Sequence, residues 1–404
     1  MTNKKEHLIT YCDGIEPEAL EQIRSLAESF PFRDSVIRIM PDAHAGKGCT
    51  VGTTMTIRDK VTPNLVGVDI GCGMRVVELG PVDVDPALLQ SIIEQHIPSG
   101  MNVRSTRIAE CEEGETLIRS LLCFRPEWPL EYLALSVGTL GGGNHFIELN
   151  RDDKGNTYLV IHSGSRNLGV RVCKYYQDLT KKMMVARTNR QSIQEIIDTL
   201  KAEGRSKEIQ DVLSGLPRIH TGDDPLGYLE GEGFDAYLHD MEICQRYAAL
   251  NRATMARIIL EGLGLEAVEE WETVHNYIDL EHMILRKGAI SARSGEKVII
   301  PMNMRDGSLI CTGKGNPDWN YSAPHGAGRL MSRGKAMECI DMESFRRDME
   351  GIATWSVCEN TKDEAPAVYK PMASIIRQIQ PTVSVDKIIR PVYNFKAHDS
   401  RDGR

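Results

Sequence analysis

The chain has 404 residues, 41% hydrophobic and 26% charged, with a formal net charge of −9. That length can bury one large core or divide into two or three domains. The acidic balance gives no whole-molecule attraction for nucleic acid and leaves only a local basic groove for that purpose. Ten cysteines without a CxxC pair exclude a disulfide scaffold and read as small buried apolar residues in a reducing compartment. Residues 1–5 are polar, no apolar signal region follows them, and no apolar run reaches membrane-spanning length. A soluble cytoplasmic protein is expected, with no membrane partner.

Residues 16–29 place Leu20, Ile23 and Leu26 at helical spacing. A strand over residues 36–40 is expected to end at Pro41-Asp42-Ala43-His44. Residues 46–80 are rich in Gly, Val and Thr, which predicts strands joined by tight turns, with an apolar strand leading into Asp69. Residues 85–97 read as a helix, and Tyr158-Leu159-Val160-Ile161 as a buried strand delivering His162. Residues 170–215 carry Lys, Gln, Glu and Ile at helical spacing and predict two or three helices covering the core. A Gly- and Asp-rich loop follows over 222–233. Residues 234–262 are the strongest helix candidate, with Tyr237, Met241, Cys244, Tyr247, Ala248 and Met255 on one face. Strands return near 284–312, and helices after Gly328 and at 342–354. Strand-rich and helical blocks alternate without a βαβ beat, and no phosphate-loop or dinucleotide fingerprint follows a strand. The expected class is α+β, with mixed β-sheets at the core and peripheral helices. Residues 1–404 are expected to form a single irregular domain with a helical insertion at about 170–262.

Five runs set a metal-binding type of side chain beside glycine or a small polar residue. They are Asp69-Ile70-Gly71-Cys72-Gly73, Gly143-Asn144-His145, His162-Ser163-Gly164-Ser165-Arg166, His275-Asn276-Tyr277 and His325-Gly326-Ala327-Gly328-Arg329. Each has a structural explanation alone: a buried thiol at Cys72, a surface turn at His145, a helix-start cap at His325. Together they point to one polar site. Asp69 and Cys72 can converge on an ion, and a thiolate can bridge two ions. The triple glycine before Asn144 suggests a backbone passing close to something, often a phosphate. His325, in a Gly-rich turn expected to open a helix, suits a ligand or a nucleophile on phosphorus. By softness alone the set suits zinc or another borderline first-row ion, and two ions sharing the cysteine suit phosphoryl transfer. Arg104, Arg107, Arg166, Arg286, Lys287, Arg293, Arg329 and Arg333 are candidate phosphate grips, whereas His7, His96, His220, His239, His282 and His398 read as structural.

These runs, with Met40-Pro41-Asp42-Ala43-His44-Ala45-Gly46-Lys47-Gly48 and Arg286-Lys287-Gly288-Ala289, resemble the RtcB family of RNA ligases in that family's order, from about residue 36 to 396. The resemblance implies joining of RNA 2′,3′-cyclic phosphate or 3′-phosphate ends to 5′-hydroxyl ends, with GTP and two manganese ions, in RNA repair or tRNA splicing. It implies His325 as the nucleophile that takes GMP. It implies Asp69, Cys72, His145, His162 and His275 as manganese ligands, with Cys72 bridging. Guanylate contacts would come from Asn144, Glu148, His275, Asn276, Ser308, His325, Gly326, Ala327, Gly328, Tyr369 and Lys396. Asp42, His44, Lys47, Arg166 and Arg293 would grip the RNA ends. Archease or a release-factor-like rescue protein are the partners it suggests. The chain departs from the family pattern at Pro301-Met302-Asn303-Met304, at Pro317-Asp318-Trp319-Asn320-Tyr321 and in its tail after Lys396, as a divergent bacterial paralogue would. The alternative activity is a metal-dependent phosphodiesterase that opens the cyclic phosphate without sealing.

Overall fold

The structure is a computed structural model and describes residues 7–214 and 224–397. Its chain opens with β1 (Leu8–Thr10), α1 (Pro17–Glu28), β2 (Ile37–His44), β3 (Val51–Thr56), β4 (Lys60–Val61) and β5 (Gly73–Gly80). Helices α2 (Pro86–His96), α3 (Glu110–Arg119) and α4 (Leu130–Ala134) precede β6 (Phe146–Arg151) and β7 (Thr157–Ser163). A helical stretch follows: α5 (Arg166–Ala202), α6 (Ile209–Ser214), the short β8 (Leu229–Glu230) and α7 (Glu232–Leu263). Next come β9 (Glu269–Val274), β10 (Asn276–Asp279), β11 (Ile284–Lys287), β12 (Ala289–Ser291), β13 (Lys297–Asn303), β14 (Gly307–Gly313) and β15 (Ser322–Pro324). The chain closes with α8 (Arg333–Cys339), α9 (Met342–Asp348), α10 (Met372–Ile379) and β16 (Val383–Phe395).

Two sheets organise the molecule, as an α+β chain without a βαβ beat should. A seven-stranded antiparallel sheet runs β13-β14-β16-β6-β7-β5-β9, and a five-stranded mixed sheet runs β1-β2-β3-β11-β10 with β1 and β2 parallel. The chain passes from one to the other between β9 and β10, and the residue at that passage is His275. β7 is buried along its whole length, which explains its unbroken apolar run at the sheet's centre. α7 packs against β5 and β7, burying Tyr237, Met241, Cys244, Tyr247, Ala248 and Met255 as the periodicity predicts. It stops at Gly264, whose left-handed φ of 65° ends the helix. α2 starts where expected, with Asp85 accepting from the Ala87 N–H and Pro86 in the first turn.

Several boundaries differ from the sequence reading. α1 buries Ala19, Ile23 and Leu26, and Leu20 stays 37% exposed, so the core face is one residue round from the expected stripe. β2 does not end at Met40 but continues through Pro41 to His44. It can do so because the β2–β3 pairing is irregular between Ile39 and His44, where the missing proline N–H costs no ladder bond. No strand leads into Asp69; a 3-10 turn at Pro63–Leu65 and irregular chain do. Residues 166–214 form the 37-residue α5, a 3-10 turn at Ser206–Glu208 and α6. α9 ends at Asp348, six residues short of the expected end. His220, His398 and part of the expected 222–233 loop lie outside the described residues. No helix among the described residues is long and apolar enough to cross a membrane.

Candidate active site

Four neighbouring strands of the seven-stranded sheet bring the predicted ligands to one end. Cys72 immediately precedes β5, His145 immediately precedes β6, His162 is the penultimate residue of β7, and His275 immediately follows β9. The strands are antiparallel, so two starts and two finishes share one edge; Gly73 is paired with both Ser163 and Val274, and Phe146 with His162. The Asp69–Cys72 turn fits because Gly71 adopts φ 72° with no room for a side chain against Gln245 of α7. Gly164 leaves space for the Asp69 carboxylate, and the Ser165 N–H donates to its Oδ1 at 3.1 Å.

The donor atoms form a continuous line. Asp69 Oδ2 lies 2.9 Å from His145 Nε2, which lies 3.5 Å from Cys72 Sγ. Cys72 Sγ lies 3.3 Å from His162 Nε2, which lies 3.4 Å from His275 Nε2. Such spacings are those of donors sharing an ion roughly 2.0–2.3 Å away. Cys72 occupies the middle, so the line divides into Asp69–Cys72–His145 and Cys72–His162–His275.

The protonation pattern favours cations. The carbonyls of Leu140 and Asn144 accept from Nδ1 of His145 and His162, at 2.9 and 3.1 Å. That assignment, inferred from the hydrogen-bond network, turns both Nε2 lone pairs toward the sulfur. Burial, then neighbouring positive charge, holds His162 and His275 well below the usual imidazole range, so both are neutral ligands. Burial would raise the Asp69 carboxyl, but hydrogen bonding and charge from His145, with help from Cys72 and Arg166, bring it down to about 2. Burial, reinforced by Asp69, pushes the Cys72 thiol well above its normal range, so it needs a bound cation to become a thiolate. Cys72, His145 and His162 form a compact ligand group among the described residues, with Asp69 and His275 extending it at either end. This donor set fits first-row metal chemistry.

His325 lies just beyond β15, its ring 5.0 Å from that of His275. Its Nδ1 donates to Asp42 Oδ2 at 2.7 Å, and the N–H groups of His325 and Gly326 donate to the same oxygen at 3.1 and 3.2 Å. Asp42 is fully buried. The carboxylate thus fixes the tautomer and leaves the His325 Nε2 lone pair available. A cavity of about 470 Å³ opens over this histidine, walled by Asn144, Phe146, Glu148, Met302, Met304, Ala327, Tyr369 and Lys396 among others. Deep in it, Lys396 Nζ pairs with Glu364 Oε2 at 3.0 Å. Burial outweighs the charge of Lys396 and the amides of Asn394 and Asn150, raising the Glu148 carboxyl to about 7.

Residues 22–128 and 130–397 match the family described as tRNA-splicing ligase RtcB. The chain belongs to the RtcB family. It is 31% identical to RNA-splicing ligase RtcB of Escherichia coli strain K12, covering 95% of each chain. It is 24% identical to RNA-splicing ligase RtcB2 of Escherichia coli strain ATCC 25922, covering 96% of this chain and 94% of that one. It is also similar to the tRNA-splicing ligase RtcB of Archaeoglobus fulgidus, at 26% identity over 88% of this chain and 86% of the relative.

Within this RtcB-family site most predicted nucleotide residues reach the cavity: Asn144, Glu148, His275, His325, Gly326, Ala327, Gly328, Tyr369 and Lys396 line it. Asn276 and Ser308 are not on that wall. Asn276 braces the ligand loops through Asp69 O and Gly288 N, and Ser308 is buried in β14 behind Gly307 with its Oγ unpaired. The RNA-end set is scattered. His44 lines the cavity and Lys47 is exposed, but Asp42 is buried beneath His325. Arg166 is spent on Thr139 and Gly100, filling the space left by Gly141 of the triple glycine; Arg293 pairs with Asp279. Arg104, Arg107, Arg286 and Lys287 likewise have structural partners. The Gly-rich turn after His325 does not open a helix, since α8 begins only at Arg333. The divergent Pro301–Met304 stretch does form a cavity wall, and Pro317–Trp319 is a 3-10 turn anchored by Trp319 stacking on Tyr11. Sequence reasoning missed Glu364, whose polar surroundings carry no glycine or histidine to signal it.

Proposed function

We propose that the protein is a GTP- and manganese-dependent RNA ligase that joins 2′,3′-cyclic phosphate or 3′-phosphate ends to 5′-hydroxyl ends. The reading rests on one observation: a histidine with its Nδ1 held by a buried carboxylate stands beside five metal-type donors at the wall of a nucleotide-sized cavity. Residues 1–404 act as one catalytic domain in this reading, with the helical stretch at about 170–262 as an insertion, in the cytoplasm. Two manganese ions on Asp69, Cys72, His145, His162 and His275 would offset charge on phosphate oxygens and increase the acidity of bound water.

His325 Nε2 attacks the α-phosphorus of GTP; a P–N bond forms as the bond to the β-phosphate oxygen breaks, and pyrophosphate leaves. Asp42 stabilises the positive charge that grows on the imidazole. Water adds to the phosphorus of a 2′,3′-cyclic end as its P–O2′ bond breaks, leaving a 3′-phosphate, and an oxygen of that phosphate then attacks the guanylate phosphorus as the P–N bond to His325 breaks. The 5′-hydroxyl of the second end attacks that phosphate, and GMP departs. Glu148 reads guanine, because a carboxylate accepts from the two N–H groups on guanine's pairing edge, and Lys396 supplies a donor beside it. The test is RNA with a 2′,3′-cyclic phosphate and a 5′-hydroxyl, incubated with GTP and manganese. A joined strand is expected. Opening of the cyclic phosphate without joining would replace this reading with the phosphodiesterase.

Glu148 also gives a pH dependence. The carboxylate is the form that accepts from guanine, and its share falls below pH about 7. The Kd for GMP is expected to be flat above that pH and to rise by up to about tenfold per unit below it. Glu148→Gln should weaken GMP and flatten the profile; an unchanged profile would remove Glu148 from guanine recognition.

A further inference from the structure

We propose that Asn251 and Arg252, neighbours on α7, are positioning residues that hold the ligand-bearing strand ends in one array. The inference rests on the metal reading above. Both side chains are fully buried. Burying a guanidinium is costly unless its donors are paired, and here four of the five N–H groups are engaged. Arg252 Nη1 donates to Gly71 O at 2.8 Å and to Ser163 O at 2.9 Å. Those carbonyls belong to the residue before Cys72 and the residue after His162. Its other face grips the Glu272 carboxylate, Nη2 at 2.8 Å and Nε at 3.3 Å. Glu272 lies in β9, three residues before His275. One side chain therefore ties together the segments carrying three of the five ligands.

Asn251 ties in the other two. Its Oδ1 accepts from the Thr139 N–H at 2.9 Å, and its Nδ2 lies 3.1–3.2 Å from Thr139 O, Ser163 Oγ and Gly164 O. Ser163 Oγ in turn donates to Leu140 O, the carbonyl that orients His145. Gly164 is the residue against which the Asp69 carboxylate packs. Two adjacent residues of one long helix thus register all five ligands, though neither touches the site. The five donors arrive on four separate segments of irregular or strand-end chain, and four such segments need a common reference to stay within sharing distance of an ion.

Arg252→Lys keeps the charge but cannot span two carbonyls and a carboxylate; Asn251→Ala removes the amide. Cobalt titration of the full chain, followed by thiolate-to-cobalt absorption, reads the array directly, and thermal melting of the metal-free protein reads folding separately. Both variants are expected to bind cobalt about 10–100-fold more weakly than wild type, the usual effect of losing an outer-shell partner, with a diminished thiolate band. Variants that melt earlier yet give wild-type cobalt curves would make the pair merely structural and overturn the proposal. Should Arg252→Lys not fold, Asn251→Ser decides it on the same criteria. A wild-type chain that binds no cobalt or manganese sinks the metal reading instead, a result distinguishable from equal binding by wild type and variants.

Discussion

Replacing His325 by alanine is expected to abolish transfer of label from α-labelled GTP to the protein, and to reduce sealing by on the order of 10⁴-fold or more, the scale seen when a nucleophile is removed. The companion variant Asp42→Asn separates two roles for the aspartate. If Asp42 holds the nucleophile, as its 2.7 Å contact with Nδ1 and its two backbone N–H partners argue, the isosteric amide presents a donor where an acceptor is needed. The imidazole then takes the wrong tautomer, and guanylylation should slow by about 10²–10⁴-fold. If Asp42 instead grips RNA, guanylylation would proceed at the wild-type rate and only the later transfer to RNA would suffer. Label surviving in the His325→Ala protein would displace His325 as the carrier of GMP.

The different fates of Asp42 and His325 show what sequence can convey here. Ligand types beside glycine or a small polar residue flagged Asp69, Cys72, His145, His162 and His275, and the structure gathers these five at one sheet end. They were legible because a strand-end site demands both a scarce side chain and a permissive backbone at the same place. Asp42 carries no such mark. It sits 283 residues from its partner, and the run Met40-Pro41-Asp42-Ala43-His44 marked it only as an RNA-end candidate until β2 is seen running beneath His325. Arg166 and Arg293 show the converse. Arginines beside serine suggest anion binding, and the structure adds what no local pattern conveys, partners for some of their donors in Thr139, Gly100 and Asp279. Periodicity gave α7 and β7, whose burial is one-sided or complete. It missed the continuation of β2 through Pro41, because that depends on irregular pairing with β3 and not on local preference. Glu364 became visible through its ion pairs with Lys396, Arg329 and Arg333, tertiary facts with no local trace.

Cys72→Ala should remove more metal than any other single ligand substitution. The reason is its place in the line of donors: Asp69 and His145 lie on one side, His162 and His275 on the other, and the sulfur alone is within 3.5 Å of both sides. A site built on a shared thiolate loses a ligand from each half at once. Wild-type protein is expected to bind two manganese ions per chain in calorimetry. Asp69→Ala and His275→Ala should each weaken one ion and leave the second within about tenfold of wild type. Cys72→Ala should weaken both by about 100-fold or more, since each half is reduced to two protein ligands. Cys72→Ser offers a harder, more weakly ionised oxygen in the same place and should recover little of the loss. The pattern of loss is what matters. If Cys72→Ala removes one ion and leaves the other at wild-type strength, the sulfur serves a single ion. The chain would then hold two independent sites, and His325 would face only the one that contains His275.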